Sequence, residues 1–474
     1  MPILSKPDEP AELPSTVAVT PTVSDTAPAV AAVTPVLAEP EPAACALLAE
    51  PGEPIATVGL TDGIDPANAP RPTNEGERLL FRQLYETLIR VDCLGRAVSA
   101  LAESWRLGAD GRTWILTLRE DARFSDGAQL TASDVRASWT RDGIGDELRP
   151  NVSRLVQSVA TVGDRGLALT LRRHRTDAPL ALAHQDLAIA RRVASSPWPI
   201  GTRLGWMAAD ERPQGSATSM VTLTRADLPP IRFLIAPGDP RDLLDEDIDL
   251  LLTRDPVALD YAATLPQFQS VPLAWGRTRV LLTPGRSRSL PSLSPEARQV
   301  LADDAVRGEA RGAEGAFWWQ ALSDCEVLPP PPRSQSAPIP RVVYDGSDGA
   351  ARDLAERLVG LARASGPAAR PFLDALLPDR PRRTYQRANG LSGEALAVAR
   401  RRGADAAYVA SVDSRPLEPC RELQAMMDGA PWLDPETIVP LVDTRLRAIA
   451  RRGRSGVTVD WDGGLHIAGA NAPR

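Results

Sequence analysis

The chain has 474 residues, of which 43% are hydrophobic and 24% are charged, and its formal net charge is −7 at pH 7. This length predicts two or three domains, since single cores stop growing at roughly 250–300 residues. Its 54 basic residues are mixed with 61 acidic ones, which argues against a protein that binds nucleic acid through charge. The sequence has no run of about 18 apolar residues, so no transmembrane helix is predicted. Three histidines and four scattered cysteines argue against a multi-histidine or all-cysteine metal site.

The N-terminal residues 1–54 are rich in Pro, Ala, Thr and Val without any periodicity, and this composition predicts a disordered tail. Prolines interrupt its apolar stretch, so the unbroken core of about 7–15 apolar residues of a signal peptide is not recognisable. Cys45 follows Pro-Ala-Ala and lacks the leucine-like residue three positions upstream that marks a lipoprotein cleavage site. The four cysteines allow three pairings, and we expect buried free thiols instead.

Folding is expected to begin near Ile55, and strands and helices then follow each other along the chain. Strands are predicted over 55–60, 112–119, 167–172, 231–235, 248–252, 280–283, 341–344 and 406–410, with a terminal hairpin over 457–460 and 465–468. Helices are predicted over 77–91, 135–140, 240–244, 295–307 and 351–364. Thr131 is predicted to cap the second helix, with Asp134 in its first turn. This mixture indicates an α/β protein.

An ordered series of short motifs is far more specific than these elements. It comprises Leu84-Tyr-Glu-Thr-Leu-Ile-Arg-Val-Asp92, Ala100-Leu-Ala-Glu-Ser-Trp105, Asp110-Gly111 with Thr113-Trp114, Phe124-Ser-Asp-Gly127, and Leu130-Thr-Ala132 with Asp134-Val135. The series resembles the extracytoplasmic solute-binding proteins of peptide/nickel ABC transporters, whose pattern here is LAESW, DG-x-TW, F-x-DG and LTA-x-DV. Many fixed positions in order over about 55 residues make chance agreement improbable. We expect the tryptophans at 105, 114 and 139 to be core residues.

The resemblance implies a two-lobed α/β fold with hinge strands and a small extra subdomain in the first lobe. The boundaries expected from it are 55–275 for the first lobe, 276–435 for the second, and 436–474 for the return to the first lobe. It also implies a monomer that binds a peptide or peptide-like small molecule in an interlobe cleft and delivers it to the membrane permease of an ABC transporter. Neither an enzymatic activity nor a cofactor is implied, and the catalytic motifs G-x-S-x-G, H-E-x-x-H and the P-loop are absent.

Candidate ligand-binding residues come from the matching positions. In the family an Asp after a strand ending in GW holds the ligand amine; Asp413 falls at or next to that place, and Ser411 stands where a tryptophan is usual. Asp413 can equally be a loop-capping residue. Pro199-Ile-Gly-Thr202 resembles the start of the family's GTGPY element, but Arg203-Leu204-Gly205-Trp206 follows, and the usual strand-terminal Asn after 280–283 is missing.

Three further residues are candidates for the cleft. Trp275 and Trp206 can form a stacking wall or pack in a core, and Asp65 can contact ligand at the end of the first strand or form the turn before Pro66. The resemblance implies a periplasmic or extracytoplasmic location, with a cytoplasmic one as the alternative. Two other functions stay open on the same fold: a non-exported ligand sensor or accessory protein, and a degenerate scaffold that binds no ligand.

Overall fold

The computed structural model describes residues 45–48, 51–141, 145–175, 177–203, 205–207, 219–225, 228–283, 293, 295–305, 310–313, 317–321, 325, 341–363, 387–403 and 406–467. The α-helices are α1 (Glu75–Arg82), α2 (Ala132–Trp139), α3 (Pro150–Ser153), α4 (Ala178–Leu182), α5 (Pro240–Asp245), α6 (Pro256–Thr264), α7 (Pro295–Ala305), α8 (Gly349–Arg363), α9 (Gly393–Arg402) and α10 (Pro419–Gly429). Short 3-10 helices span Pro66–Asn68, Gln185–Leu187, Trp318–Ala321 and Pro435–Thr437.

The strands form one large sheet and several small ones. They are β1 (Glu53–Pro54), β2 (Thr57–Leu60), β3 (Ile89–Val91), β4 (Ala97–Ser99), β5 (Ala102–Leu107), β6 (Thr113–Leu118), β7 (Val156–Val162), β8 (Gly166–Leu171), β9 (Gly205–Met207), β10 (Ser219–Arg225), β11 (Leu228–Ile235), β12 (Leu250–Thr253), β13 (Phe268–Leu282), β14 (Ala310–Gly312), β15 (Arg341–Asp345), β16 (Arg387–Leu391), β17 (Ala407–Asp413), β18 (Ile438–Arg451), β19 (Arg454–Ser455), β20 (Val457–Val459) and β21 (Leu465–Ile467).

Two long antiparallel strands, β13 and β18, run through the large sheet and connect two lobes. They pair from Phe268 opposite Arg451 to Leu282 opposite Ile438. On one side of this pair, β18 is hydrogen-bonded to β12. The sheet then extends through β2, β11, β10 and β9, and these strands form the first lobe. On the other side, β13 is hydrogen-bonded to β17, and the sheet extends through β15 and β16. These strands and helices α8–α10 form the second lobe. Both lobes therefore share the crossing strands β13 and β18.

A separate subdomain is inserted in the first lobe. Its sheet has the order β5-β6-β8-β7, and α2 packs on it. Trp105, Trp114 and Trp139 lie at most 4% exposed in its own core, as predicted. The predicted cap of α2 is also confirmed: Thr131 accepts from the Asp134 N–H, and the Asp134 carboxylate accepts from the Thr131 N–H at 2.9 Å. The best-matched motifs thus build this core.

The helix predicted over 77–91 is wrong in its second half. Helix α1 ends at Arg82, and the last part of the predicted range forms strand β3 instead. Leu79 and Leu80 are buried in the first-lobe core, whereas Leu88 is buried in the subdomain core. The apolar spacing reflects burial in two different cores, and periodicity alone does not separate the two segments.

Two predictions are wrong: the four cysteines are not free thiols, and the ordered structure does not begin near Ile55. Cys45 is bonded to Cys93, and Cys325 is bonded to Cys420. Residues 45–48 are already packed against the terminal hairpin, where the Leu47 N–H donates to the Val457 carbonyl at 2.8 Å. Order thus begins upstream of Ile55. No helix within the described ranges is long and apolar enough to cross a membrane.

Candidate functional site

Helix α1 presents a row of charges along one side. Asn74 caps it by accepting from the Glu77 N–H at 2.8 Å, and Glu75 lies in the first turn, where a negative charge suits the helix dipole. Glu75, Arg78 and Arg82 follow at helical spacing and therefore share one face, opposite the buried Leu80. The apolar face anchors the helix in the first lobe and directs the charged face away from that core.

Arg277 on the crossing strand β13 joins the two lobes. Its Nη2 donates to Glu75 Oε1 at 3.0 Å, and its Nη1 lies 2.6 Å from Asp413 Oδ1 at the end of β17. Arg277 is directly opposite Asp413 in the strand register, and Arg279 is directly opposite Ser411, so all four side chains lie on the same face of the sheet. The site thus combines a first-lobe helix, a crossing strand and a second-lobe strand.

Three guanidinium groups surround the Glu75 carboxylate. Arg78 and Arg254 lie 3.7 and 3.6 Å from it, in addition to Arg277. Burial by itself would raise the pKa of Glu75, but the three positive charges outweigh this effect and lower it to about 2. Glu75 is therefore fully ionised at neutral pH.

Beside Asp413 lies a second carboxyl group, that of Glu422 on α10. The Asp413 N–H donates to Glu422 Oε1 at 3.5 Å. Burial and the neighbouring Asp413 charge raise the pKa of Glu422. Two adjacent carboxyl groups of this kind are a favourable environment for an ammonium group. We call Glu75, Arg78, Arg254, Arg277, Asp413 and Glu422 the interlobe charge cluster.

Helix α10 of the second lobe also contacts the subdomain directly. Arg421 pairs with Asp186, and its Nη1 lies 3.0 Å from His184 Nδ1. Burial and the Arg421 charge hold the pKa of His184 well below its usual value, so the ring is neutral and accepts this hydrogen bond. Arg175 of the subdomain pairs with Glu418 just before the helix. The lobes are consequently in contact through ion pairs in this structure.

The sequence-predicted site residues divide into two groups. In the structure Asp413 lies opposite Arg277, and Ser411 lies opposite Arg279 on the same face of the sheet, with Ser411 exposed. Asp65 instead accepts from the Ala67 N–H at 2.9 Å and caps the 3-10 helix that follows it. Trp206 belongs to β9 at the outer edge of the large sheet. None of the contacts in the described residues joins Asp65 to the interlobe charge cluster.

Trp275 is turned away from that cluster by a change of register. The β13–β18 pairing shifts between Trp275 and Arg277, so the two side chains do not share a face. The guanidinium groups of Arg445 and Arg311 lie 4.5 and 5.0 Å from the Trp275 ring centre. These cation–π contacts occupy the indole with protein groups. Its predicted contact with ligand is untested.

Sequence reasoning missed the residues that dominate the site, namely Glu75, Arg78, Arg254, Arg277 and Glu422. The signal available for the first two was their helical spacing on α1, on the face opposite the apolar Leu80. Arg254 and Arg277 carry no motif, and Arg277 meets Glu75 across 202 positions of sequence. Within the described residues, no group of three or more His, Cys, Asp or Glu side chains is arranged to hold a metal ion.

Comparison with known proteins finds a family model that matches part of the chain. Residues 96–221 match the model of bacterial extracellular solute-binding proteins, family 5 Middle. This segment, which includes the inserted subdomain, is therefore similar to that family. A putative binding protein of Haemophilus influenzae is 46% identical over 66 residues, and the periplasmic oligopeptide-binding protein OppA of Escherichia coli is 37% identical over 79 residues. These matches span 14% and 17% of this chain, but only 13% and 14% of the two relatives.

Solved structures extend the likeness to most of the chain. The dipeptide-binding protein of Pseudoalteromonas sp. SM9913, in complex with Met-Leu, superposes with a TM-score of 0.59 at 12% identity, covering 88% of this chain and 99% of that one. NikA from Brucella suis, in complex with Fe(III)-EDTA, gives 0.57 at 14% identity, covering 83% and 95%. The predicted α/β, two-lobed fold and the predicted resemblance to these proteins are thus confirmed, and the matching family model is one of solute-binding proteins.

Proposed function

We propose that this protein is a family 5 solute-binding protein, the substrate-binding component of an ABC-type importer. It binds a peptide or peptide-like molecule between its lobes and delivers it to a membrane permease. The observation that carries the proposal is the interlobe charge cluster, in which Arg277 holds carboxylates of both lobes at 2.6 and 3.0 Å. Hinged lobes that enclose a ligand place its recognition groups on both sides of the hinge, and these residues have that distribution.

The charges of the cluster match the ends of a peptide. Asp413 and Glu422 offer carboxyl groups to an ammonium group, while the arginines at 78, 254 and 277 offer donors to a carboxylate. Asp413 already pairs with Arg277, so an arriving ammonium group competes for this carboxylate. We therefore expect ligand to enter when the lobes separate and the Arg277–Asp413 pair loosens.

Two disulfides support a location outside the cytoplasm, because such bonds persist in oxidising compartments. They favour an exported receptor over a cytoplasmic sensor. The curated relatives include periplasmic oligopeptide-binding and murein peptide-binding proteins, which have the same kind of location.

The first experiment is native mass spectrometry of freshly purified protein, followed by denaturation to release any bound molecule. A released peptide, or capture of dipeptides from an added mixture, supports the proposal. Protein that stays empty after exposure to the mixture contradicts it and favours the scaffold function.

The role of Asp413 is tested by titrating a captured dipeptide, and its N-acetylated form, into wild type and Asp413→Asn by calorimetry. We expect the variant to bind the free-amine dipeptide about 10–100-fold more weakly, the effect of losing a charged hydrogen bond. Binding of the N-acetylated dipeptide should change little. Asp121→Asn is the matched control, since Asp121 is 79% exposed and lies 3.9 Å from Arg119. Unchanged affinity of Asp413→Asn for the free amine contradicts the assigned role.

A further inference from the structure

Arg254 occupies the edge of the sheet at which open α/β folds bind ligands. It directly follows β12, which is parallel to its neighbour β2, and α6 begins two residues later at Pro256. The carboxyl ends of parallel strands form the crevice in which such sheets hold small molecules. Arg254 thus reaches the interlobe charge cluster from the first lobe, on the side of Glu75.

The guanidinium group of Arg254 is poorly satisfied by the protein. Its side chain is 24% exposed, and its ion pair with Glu75, at 3.6 Å, is longer than a hydrogen bond. Among the described residues it makes no hydrogen bond, and its Nε is buried without a partner. Burial lowers the pKa of Arg254 to about 10 even though Glu75 acts in the opposite direction. An incompletely paired, largely buried cation is costly, so a further anionic partner would stabilise it.

The neighbouring carboxylates are already engaged by other arginines. Glu75 accepts from Arg277 and lies near Arg78, and Asp413 is paired with Arg277. Asp348, at the start of α8, is paired with Arg279, whose Nε is also buried without a partner. Donors are therefore in surplus on this side of the cluster, and the missing complement is an acceptor that carries negative charge.

We propose that the site selects solutes of net negative charge, and that Arg254 binds their additional anionic group. Acidic dipeptides are then preferred over neutral and basic ones. This selectivity rests on the proposed binding function, but the anion site itself can be measured without any peptide. Compared with a neutral dipeptide, such a ligand carries one additional carboxylate. The planar guanidinium group of Arg254 can hold this carboxylate through two parallel hydrogen bonds.

The test compares thermal unfolding of wild type and variants with glutarate, and with the neutral glutaramide as matched probe, at constant ionic strength. Glutarate should raise the Tm of wild type with concentration, while glutaramide should not. Arg254→Gln should weaken the apparent glutarate affinity about 10–100-fold. Arg254→Lys keeps the charge without the fork and should be intermediate. Arg241→Gln removes an exposed arginine and should behave as wild type.

Dipeptide binding is measured in parallel with Glu-Glu, Ala-Ala and Lys-Lys. A glutarate effect that depends on Arg254, with Glu-Glu bound most tightly, supports the proposal. Equal stabilisation by glutarate and glutaramide, or a glutarate effect retained in Arg254→Gln, overturns it even if dipeptides bind. A higher affinity for Ala-Ala than for Glu-Glu likewise overturns the proposed selectivity. If no dipeptide binds but glutarate still acts through Arg254, the anion site stands and the peptide function fails.

Discussion

Replacing Glu75 by glutamine tests the electrostatic basis of the interlobe charge cluster. The substitution keeps the size of the side chain but removes the single negative charge that Arg78, Arg254 and Arg277 share. Three mutually repelling guanidinium groups would then remain around a side chain that is 27% exposed. Breaking an ion pair in this way costs more than the pair contributes, because the remaining charges lose their compensation.

The magnitude follows from the pKa of Glu75, which falls from 4.5 to about 2 on folding. This difference corresponds to about 3 kcal/mol of folding free energy when the carboxyl is ionised in both states. Because the folded pKa is the lower one, the contribution is fully present above pH 4.5. It is lost as the pH falls from about 4.5 towards 2. At pH 3 only about 1 kcal/mol should remain.

The assay is urea unfolding of wild type and Glu75→Gln at pH 7 and at pH 3, followed by circular dichroism. We expect the variant to be destabilised by about 3 kcal/mol at pH 7 and by about 1 kcal/mol at pH 3. Glu103→Gln is the matched control, since Glu103 is 45% exposed and pairs with Arg165 on the surface, where such pairs contribute about 0.2–1 kcal/mol. A Glu75→Gln penalty no larger than that of the control, or one that does not change with pH, refutes this reasoning.

Three other predictions concern the lobes and their core. Arg421→Gln removes the ion pair between α10 and the subdomain, so the radius of gyration measured by X-ray scattering should increase; unchanged scattering would mean that other contacts keep the lobes together. Reducing both disulfides, which close loops of 48 and 95 residues, should lower the free energy of unfolding by about 2–5 kcal/mol each, and a reductant without effect on the urea midpoint contradicts this. Gly403→Ala places a Cβ 1.8 Å from Trp432 Nε1 and should therefore lower the Tm by several degrees. Gly429→Ala is the control, because there is open space around Gly429, and its Tm should not change. Equal Tm values for the two variants would show that the structure around Gly403 relaxes.

Much of the local structure was predictable from the sequence because it depends on neighbouring residues. The Thr131–Asp134 capping box and the βα unit formed by β15 and α8 appear where their residues indicate them. The motif series indicated the resemblance to solute-binding proteins, and with it the two-lobed fold, because it fills the subdomain core, where packing restricts the choice of residue. Resemblance also directed attention to Asp413 and Ser411, which the structure places on one face beside Arg277.

Only the tertiary structure decided which distant residues meet. Of the 15-residue strand β13, the sequence predicted only the apolar end at 280–283, because the preceding residues alternate weakly and gain their pairing from β18. The disulfide partners were likewise undetermined, since spacing does not fix which cysteines approach within 5.5 Å between Cα atoms. The interlobe charge cluster is the clearest case. Helical periodicity shows that Glu75 lies on a polar face, but its partners Arg254 and Arg277 are set by strand register and lobe packing, which act over the whole chain.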